Sequence, residues 1–280
     1  MKKIKIAMIQ MKVVFSELEK NINHAKELVQ TAAQLGADIC VLPECLDLGW
    51  ANPKAGTLAY PIPGKVSDAY CKMAKENSVY MVAGLTEKCG DRIYNSALLI
   101  SDKGVILHKH RKINVLTGVE DVYSVGDRIA VTETPLGVIG IDICADNLIQ
   151  SLSIGHTLAR MGAQMILSPT AWAVTADRDP VKDPYGQEWH IPYSELSEIY
   201  GIPVIGVSNV GSVTDGAWKG WKAIGNSIAY GSDGKILKVL PYGDTAECVE
   251  IVEATILKPK RFGTELSDYV YEYNEKRSDL

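Results

Sequence analysis

At 280 residues the chain is long enough to bury one large hydrophobic core, and we expect residues 1–280 to form a single domain. Its net charge of −5, with both signs interspersed and no basic block, argues against nucleic acid as a partner. No apolar run approaches the roughly 18 residues of a membrane-spanning helix, and six cysteines without disulfide or zinc-type spacing predict reduced thiols in the cytoplasm.

The first half of the chain alternates between apolar strands and helices. Apolar residues recur at helical spacing over 16–34, where Ser16 is placed to cap the helix and Gly36 to end it. A second helix is predicted over 65–77. Short apolar runs bounded by turn residues predict the strands, which lie at 4–9, 39–42, 80–84, 94–100 and 105–110.

The second half continues this alternation around a glycine-bearing strand at 137–143, which runs directly into Cys144. Helices are predicted over 150–161 and 191–200, with a strand at 164–168 and a loop over 169–186 between them. Strands bounded by helices and mixed with hairpins predict an α/β protein with one mixed sheet or two packed sheets. The remaining strands are predicted at 204–210, 227–230, 235–240 and 249–255.

Reactive side chains follow three of these strands. Glu44, Lys112 and Cys144 each stand where a predicted strand ends, and functional groups gather at such places because the loops there are exposed yet held by rigid elements. Each residue alone has an ordinary interpretation, as a solvated carboxylate, a surface charge or a core thiol. Only in combination do the three residues indicate a functional site.

The order of these residues resembles that of the nitrilase superfamily of carbon–nitrogen hydrolases, over almost the whole chain. The resemblance implies an α-β-β-α sandwich, in which two mixed sheets are flanked by helices, and a catalytic set of Glu, Lys and Cys. It identifies the chain as an amidase-like member. The motifs that carry it are Leu42-Pro43-Glu44, Arg111-Lys112-Ile113 and Gly140-Ile141-Asp142-Ile143-Cys144-Ala145-Asp146, with weaker pieces such as Tyr94-Asn95-Ser96-Ala97 and Gly126-Asp127.

The resemblance gives each residue a role. Cys144 would attack the substrate carbonyl and form a thioester, and Glu44 would act as general base and then as general acid. A base is needed because a free thiol, with a pKa of ~8.5, is mostly protonated at neutral pH. Lys112 and the backbone N–H of Ala145 would stabilise the oxyanion.

A second carboxylate is expected in the loop after Lys112. In the aliphatic amidases of the family it lies eight residues after the lysine, which is the position of Glu120 here. Asp121 stands beside it and is the alternative. The residue would position the substrate or tune its neighbours.

Residues that contact the substrate are marked by weaker signals. Asn147 stands where many family members have an arginine, which argues against an N-carbamoyl amino acid as substrate. Trp172 follows the strand after the nucleophile, and Tyr185 belongs to an aromatic-rich segment over 184–190. This segment and a second one at 216–221 suit either substrate walls or subunit contacts.

Together these features predict hydrolysis of a small linear amide, omega-amidase-like or aliphatic, with release of ammonia or an amine. An N-carbamoyl amine is the alternative substrate, and a catalytically silent, dimeric binding protein is the alternative from another class. We expect no metal and no cofactor, since the five histidines lack ligand spacing. We expect a homodimer or larger homo-oligomer in which the tail, residues 257–280, contacts a partner subunit.

Overall fold

Residues 2–278 are described in the computed structural model of the protein. Most strands follow the apolar runs of the sequence, with ends that differ from the predicted ones by up to five residues, and the strand at 131–134 was not predicted. In chain order they are β1 (Lys2–Gln10), β2 (Ile39–Val41), β3 (Tyr80–Cys89), β4 (Arg92–Ile100), β5 (Ile106–Arg111), β6 (Val131–Thr134), β7 (Gly137–Ile141), β8 (Met165–Thr170), β9 (Ala173–Val174), β10 (Val204–Ser208), β11 (Val210–Ser212), β12 (Lys222–Ile224), β13 (Ile228–Tyr230), β14 (Ile236–Val239) and β15 (Cys248–Ile256).

Helices alternate with these strands, and two short 3₁₀ helices, Cys144–Asn147 and Ile149–Ser151, precede the α-helix at Ser153–Arg160. The helix predicted over 150–161 therefore begins only at Ser153. None of the helices in the described part is long and apolar enough to cross a membrane. The α-helices are α1 (Leu18–Gln34), α2 (Ala55–Leu58), α3 (Lys65–Asn77), α4 (Ser153–Arg160), α5 (Gln187–Tyr200) and α6 (Glu265–Ser278).

Ser16 does not cap α1 as predicted. Its backbone has a left-handed φ of 62°, and its hydroxyl accepts a hydrogen bond from Asn52 Nδ2 at 3.1 Å. The helix therefore begins two residues later, at Leu18. Gly36 follows the end of the helix with a φ of 83°, which agrees with its predicted role because glycine adopts this conformation without steric cost.

Two six-stranded sheets form the centre of the molecule. The first has the order β15-β1-β2-β3-β4-β5 and the second the order β14-β13-β10-β8-β7-β6. Three inner strands of each sheet are parallel and the outer strands are antiparallel, so both sheets are mixed. Helices α1 and α3 pack on the first sheet, α4 and α5 pack on the second, and the sheets face each other. The predicted α-β-β-α sandwich is confirmed.

Strand β1 is buried on both faces. Ile4, Ile6 and Met8 pack in the core between the two sheets, whereas Ala7 and Ile9 pack in the core beneath α1 and α3. Successive side chains of a strand point to opposite faces. A strand with a core on each side therefore appears in the sequence as a continuous apolar run.

A small third sheet, with the order β11-β12-β9, was not predicted. Strand β9 lies inside the stretch 169–186 that was predicted to be a loop, and the strand predicted over 204–210 is divided between β10 and β11. Pairing of Val174 with Lys222 joins β9, which closely follows β8, to β12, which directly follows the segment 216–221. This sheet brings the two aromatic-rich regions of the chain to the same end of the sandwich.

Candidate active site

The three reactive side chains lie together at one edge of the sandwich. Glu44 follows β2, Lys112 follows β5 directly, and Cys144 follows β7. The N–H of Glu44 donates to the carbonyl of Thr170, at the end of β8, at 3.1 Å. This hydrogen bond joins the first sheet to the second where the reactive groups meet.

Lys112 lies between two carboxylates. Its Nζ donates to Glu44 Oε1 and to Glu120 Oε1, each at 2.8 Å, and all three side chains are fully buried. Asp121 is exposed and accepts a hydrogen bond from the Gly118 N–H at 2.7 Å. The carboxylate next to the ammonium is therefore that of Glu120.

Electrostatic interactions among Lys112, Glu44 and Glu120 favour a charged Lys112 and raise the pKa of Glu44. Burial opposes the charge on Lys112, but the carboxylates of Glu44 and Glu120 raise its pKa well above the usual value. Burial raises the pKa of Glu44; the charge of Lys112 lowers it in part, and that of Glu120 raises it again. A carboxyl with a raised pKa suits a group that must both accept and release a proton.

Three further donors hold the two carboxylates in place. Asn95 Nδ2 donates to Glu44 Oε1 at 2.6 Å. Trp50 Nε1 and the backbone N–H of Leu116 donate to Glu120, at 2.5 and 2.9 Å. Sequence reasoning missed Trp50 and Asn95 as site residues, although Asn95 belongs to a segment that carried the family resemblance.

Cys144 opens a short 3₁₀ helix with a φ of 49°. This left-handed conformation is uncommon for a residue with a side chain and costs on the order of 1–3 kcal/mol, which proteins usually tolerate where function requires it. The first N–H groups of a helix have no partner within it. The N–H of Ala145, the second residue of this 3₁₀ helix, is one of these groups.

The surroundings of Cys144 favour the protonated form of its thiol. Burial and the charge of Glu44 raise its pKa. The charge of Lys112 and the backbone N–H of Ala171 lower it by less, so the pKa stays well above the usual value. A neutral thiol needs a base when it attacks. The Oε2 atom of Glu44 is buried and makes no hydrogen bond within the described residues, so this oxygen is free to accept the proton.

Asp146 connects the turn at Cys144 to the strand end that carries Lys112. Its Oδ2 lies 2.9 Å from His110 Nε2, and its Oδ1 accepts from the backbone N–H of Ile113 at 3.1 Å. The backbone N–H of Ile143, just before Cys144, also donates to Asp146 Oδ2 at 3.2 Å. Burial raises the pKa of this carboxyl, but the hydrogen bonds, first that of His110, hold it below the usual value. Sequence reasoning did not identify this connection.

A cavity of about 440 Å³ opens onto Cys144 and Ala145. Trp172 and Tyr185, both expected to be substrate walls, belong to its lining, as does Trp218 from the segment 216–221. Asn147 is fully buried at the end of the 3₁₀ helix and is not part of the lining. Among residues 2–278, His, Cys, Asp and Glu side chains form no group of three that could hold a metal ion.

Comparison with known proteins identifies the family. The carbon-nitrogen hydrolase family matches residues 5–256. The omega-amidase NIT2 of Xenopus tropicalis is 29% identical over 185 residues, which span 62% of this chain and 66% of that protein, just under two thirds of its length. A nitrilase of Pyrococcus abyssi is 30% identical over 216 residues, which span 75% of this chain and 81% of that protein.

Solved structures show the same fold. The carbon-nitrogen hydrolase of Helicobacter pylori G27 superposes with a TM-score of 0.79 over 90% of this chain and 89% of that chain, at 23% identity. The family match extends over nearly all of the sandwich, from β1 to β15. The protein therefore belongs to the carbon-nitrogen hydrolase family.

Proposed function

We propose that the protein hydrolyses linear amides through a thioester on Cys144, with Glu44 as the proton-transfer group. The observation that carries this proposal is the buried ammonium of Lys112, held at 2.8 Å by both Glu44 and Glu120 beside the cysteine. The omega-amidase relatives support an amide as the substrate.

In the first step Glu44 Oε2 takes the thiol proton while Sγ of Cys144 bonds to the amide carbon. The carbonyl oxygen becomes an oxyanion, which accepts hydrogen bonds from Lys112 Nζ and the Ala145 N–H. The ammonium has three N–H groups, and two of them already donate to carboxylates. The third is left for the oxyanion, and losing such a donor costs on the order of 10²–10³ in rate.

In the second step Glu44 gives its proton to the departing nitrogen. The carbon–nitrogen bond breaks, ammonia or an amine leaves, and the acyl group remains on Cys144 as a thioester. Glu44 then takes a proton from water as the water attacks the thioester carbon. When the carbon–sulfur bond breaks and the acid leaves, Glu44 returns this proton to Sγ of Cys144. One carboxyl serves both half-reactions because burial raises its pKa.

Glu120 acts in this scheme by positioning the ammonium. It accepts from Lys112 and from Trp50 through the same oxygen, Oε1. Its second oxygen accepts from the backbone of Leu116 and so fixes the loop that carries it. Trp172 and Tyr185 would contact the acyl group as part of the cavity wall, while Asn147 would support the turn at Cys144 from below the lining.

The test is ammonia release from simple aliphatic amides, ω-amides of dicarboxylic acids, N-carbamoyl amines and nitriles. We expect release from amides, no release from any of them by Cys144→Ala, and unchanged release by Cys89→Ala, whose cysteine is exposed. Carbon dioxide appearing together with ammonia would identify an N-carbamoyl amine instead. Release that persists in Cys144→Ala would refute the proposed nucleophile, and no release by the wild type from the whole panel would favour a silent binding protein.

The assembly and the compartment are part of the proposal. Exposed apolar residues of α6, Leu266 and Val270, support a contact between the tail and a partner subunit in a homodimer or larger homo-oligomer. All six cysteines are free thiols, which supports a reducing compartment such as the cytoplasm.

A further inference from the structure

The tryptophans of the chain are concentrated around the active-site cavity. The sequence contains five tryptophans, and four of them line the cavity that opens onto Cys144. The fifth, Trp221, stacks on one of these four, Trp218, with ring centroids 4.1 Å apart and planes 16° apart. These residues come from four separate segments of the chain: Trp50, Trp172, Trp189, and the pair Trp218 and Trp221.

The aromatic side chains form two fixed groups. Trp172 stacks on Trp189 at 4.7 Å and 23°, and Trp189 Nε1 donates to the hydroxyl of Tyr185 at 2.8 Å. Trp50 lies 4.7 Å from Trp218, with planes 57° apart. The indole N–H of Trp50 is in turn held by Glu120 at 2.5 Å, so this second group is anchored to the catalytic residues.

The volume of the cavity exceeds what a short aliphatic amide fills. A cavity of roughly 150 Å³ is enough to bind a benzene molecule in another protein, whereas this one measures about 440 Å³. It has room for an aromatic ring in addition to the amide group at Cys144. Flat rings on several sides offer such a ring offset-stacked and edge-to-face contacts, which an aliphatic chain cannot make equally well.

The charged residues of the lining do not favour a carboxylate on the substrate. Arg178 belongs to the lining, but its Nε and Nη2 donate to the carbonyl oxygens of Asp183 and Pro184 at 3.0 Å. Its Nη2 also lies 3.1 Å from the Asp183 carboxylate. Much of its hydrogen-bonding capacity is thus used within its own loop, and Glu188, also in the lining, would repel a second carboxylate.

We propose that the acyl part of the substrate carries an aromatic ring, which binds against Trp172 and Trp218 while the amide group lies at Cys144. The proposal rests on amide hydrolysis at Cys144 as described above, and it assigns the substrate class. It makes Trp218 a residue that determines specificity.

The test compares kcat/KM for 3-phenylpropionamide, 3-cyclohexylpropionamide and glutaramate, the monoamide of glutaric acid. The first two differ in aromaticity but little in size, so their ratio separates aromatic contacts from plain burial. We expect the phenyl amide to exceed both others by on the order of ten-fold. In Trp218→Leu the phenyl-to-cyclohexyl ratio should fall to about three, because Trp172 still contacts the ring, whereas it should not change in Phe262→Leu, whose ring is exposed in the tail.

A binding measurement separates failure of this inference from failure of the proposed hydrolysis. Because every tryptophan lines the cavity or stacks on one that does, indole fluorescence of Cys144→Ala should report occupation of the cavity. Tighter binding of the phenyl amide than of the cyclohexyl amide would support the aromatic site even if the wild type hydrolysed neither. Hydrolysis with no preference for the phenyl amide, or with glutaramate preferred, would overturn the inference and leave the amidase in place.

Discussion

Lys112 carries one positive charge, whereas Glu44 and Glu120 beside it can carry one negative charge each. When both carboxyls are ionised, the three groups carry one excess negative charge in a fully buried place. Such a charge is costly, and it favours retention of a proton by a neighbouring group. The charge of Glu120 thus helps to keep the pKa of Glu44 raised.

Replacing Glu120 by glutamine tests this arrangement at the level of one residue. Glu120→Gln keeps the shape of the side chain but removes the charge that raises the pKa of Glu44. The acidic limb of the pH profile of kcat/KM should therefore move to lower pH, and the maximum should fall on the order of 10²-fold because the ammonium is less well positioned. Steady-state kinetics between pH 4 and pH 9 would measure both effects.

Asp121→Asn is the matched control, since Asp121 is the adjacent carboxylate and is exposed. We expect its profile to overlay that of the wild type within a factor of two. The opposite pattern, with activity lost in Asp121→Asn and retained in Glu120→Gln, would assign the second carboxylate to Asp121.

At the scale of elements, the position of Glu44 depends on how closely β3 passes the turn after β2. The N–H of Gly84, in β3, donates to the carbonyl of Pro43 at 3.1 Å. A Cβ atom added to Gly84 would lie 2.6 Å from Glu44 Cα and 2.6 Å from Pro43 O, closer than real Cβ contacts. The missing side chain therefore allows the turn that carries Glu44 to rest directly on the neighbouring strand.

Gly84→Ala should displace Glu44 without changing any reactive group. We expect kcat/KM to fall at least 100-fold, because misplacing a catalytic group by about 1 Å can cost that much, and the free energy of unfolding to fall by about 1–3 kcal/mol through overpacking. Kinetics and urea denaturation would measure the two effects. Gly56→Ala, in α2, is the control because its added Cβ meets no atom within 4 Å; full activity in Gly84→Ala would show that the turn has room to move.

The elements also show what the sequence could predict. Apolar runs located the strands that end near Glu44, Lys112 and Cys144. The order of the motifs, which resembles that of the family, predicted that the three residues form one site. The turns between elements were harder to predict. By residue type alone, Ser16 could have been the N-cap of α1. Its backbone conformation and its contact with Asn52 come from packing that no local pattern records.

Supporting residues were missed for a related reason. The roles of Trp50, Asn95 and Asp146 depend on which oxygen or N–H lies opposite them in the folded chain. Asp146 stands 36 residues beyond His110, so no local pattern could show that the two side chains would be partners.

At the scale of the whole molecule, stability should depend on a buried carboxyl that the mechanism does not use. Asp142 is fully buried, and neither of its oxygens makes a hydrogen bond of good geometry within the described residues. Burial raises its pKa from 3.8 to about 7. The folded protein therefore keeps a proton between about pH 4 and pH 7 that the unfolded chain has already released.

This difference in proton binding fixes the sign of the pH dependence. The contribution of a carboxyl with a raised pKa is fully present below its unfolded pKa and is lost as the pH rises towards its folded pKa. Asp142 should therefore lower the free energy of unfolding by up to about 1.4 kcal/mol per pH unit across the window. Asp47, also buried with a pKa raised to about 7, acts in the same direction, so the test must compare variants rather than follow the wild type alone.

Asp142→Asn removes the titrating group and keeps its size. We expect its stability relative to the wild type to rise steadily from pH 5 to pH 7 and to level off by pH 8, because burial disfavours the ionised carboxyl of the wild type more than the nearby Ser168 hydroxyl stabilises it. Urea denaturation at each pH would measure the difference, with Asp91→Asn, an exposed aspartate, as the control that should follow the wild type. Parallel curves for Asp142→Asn and wild type would mean that Asp142 ionises near its ordinary pKa, and that groups around it compensate for its burial.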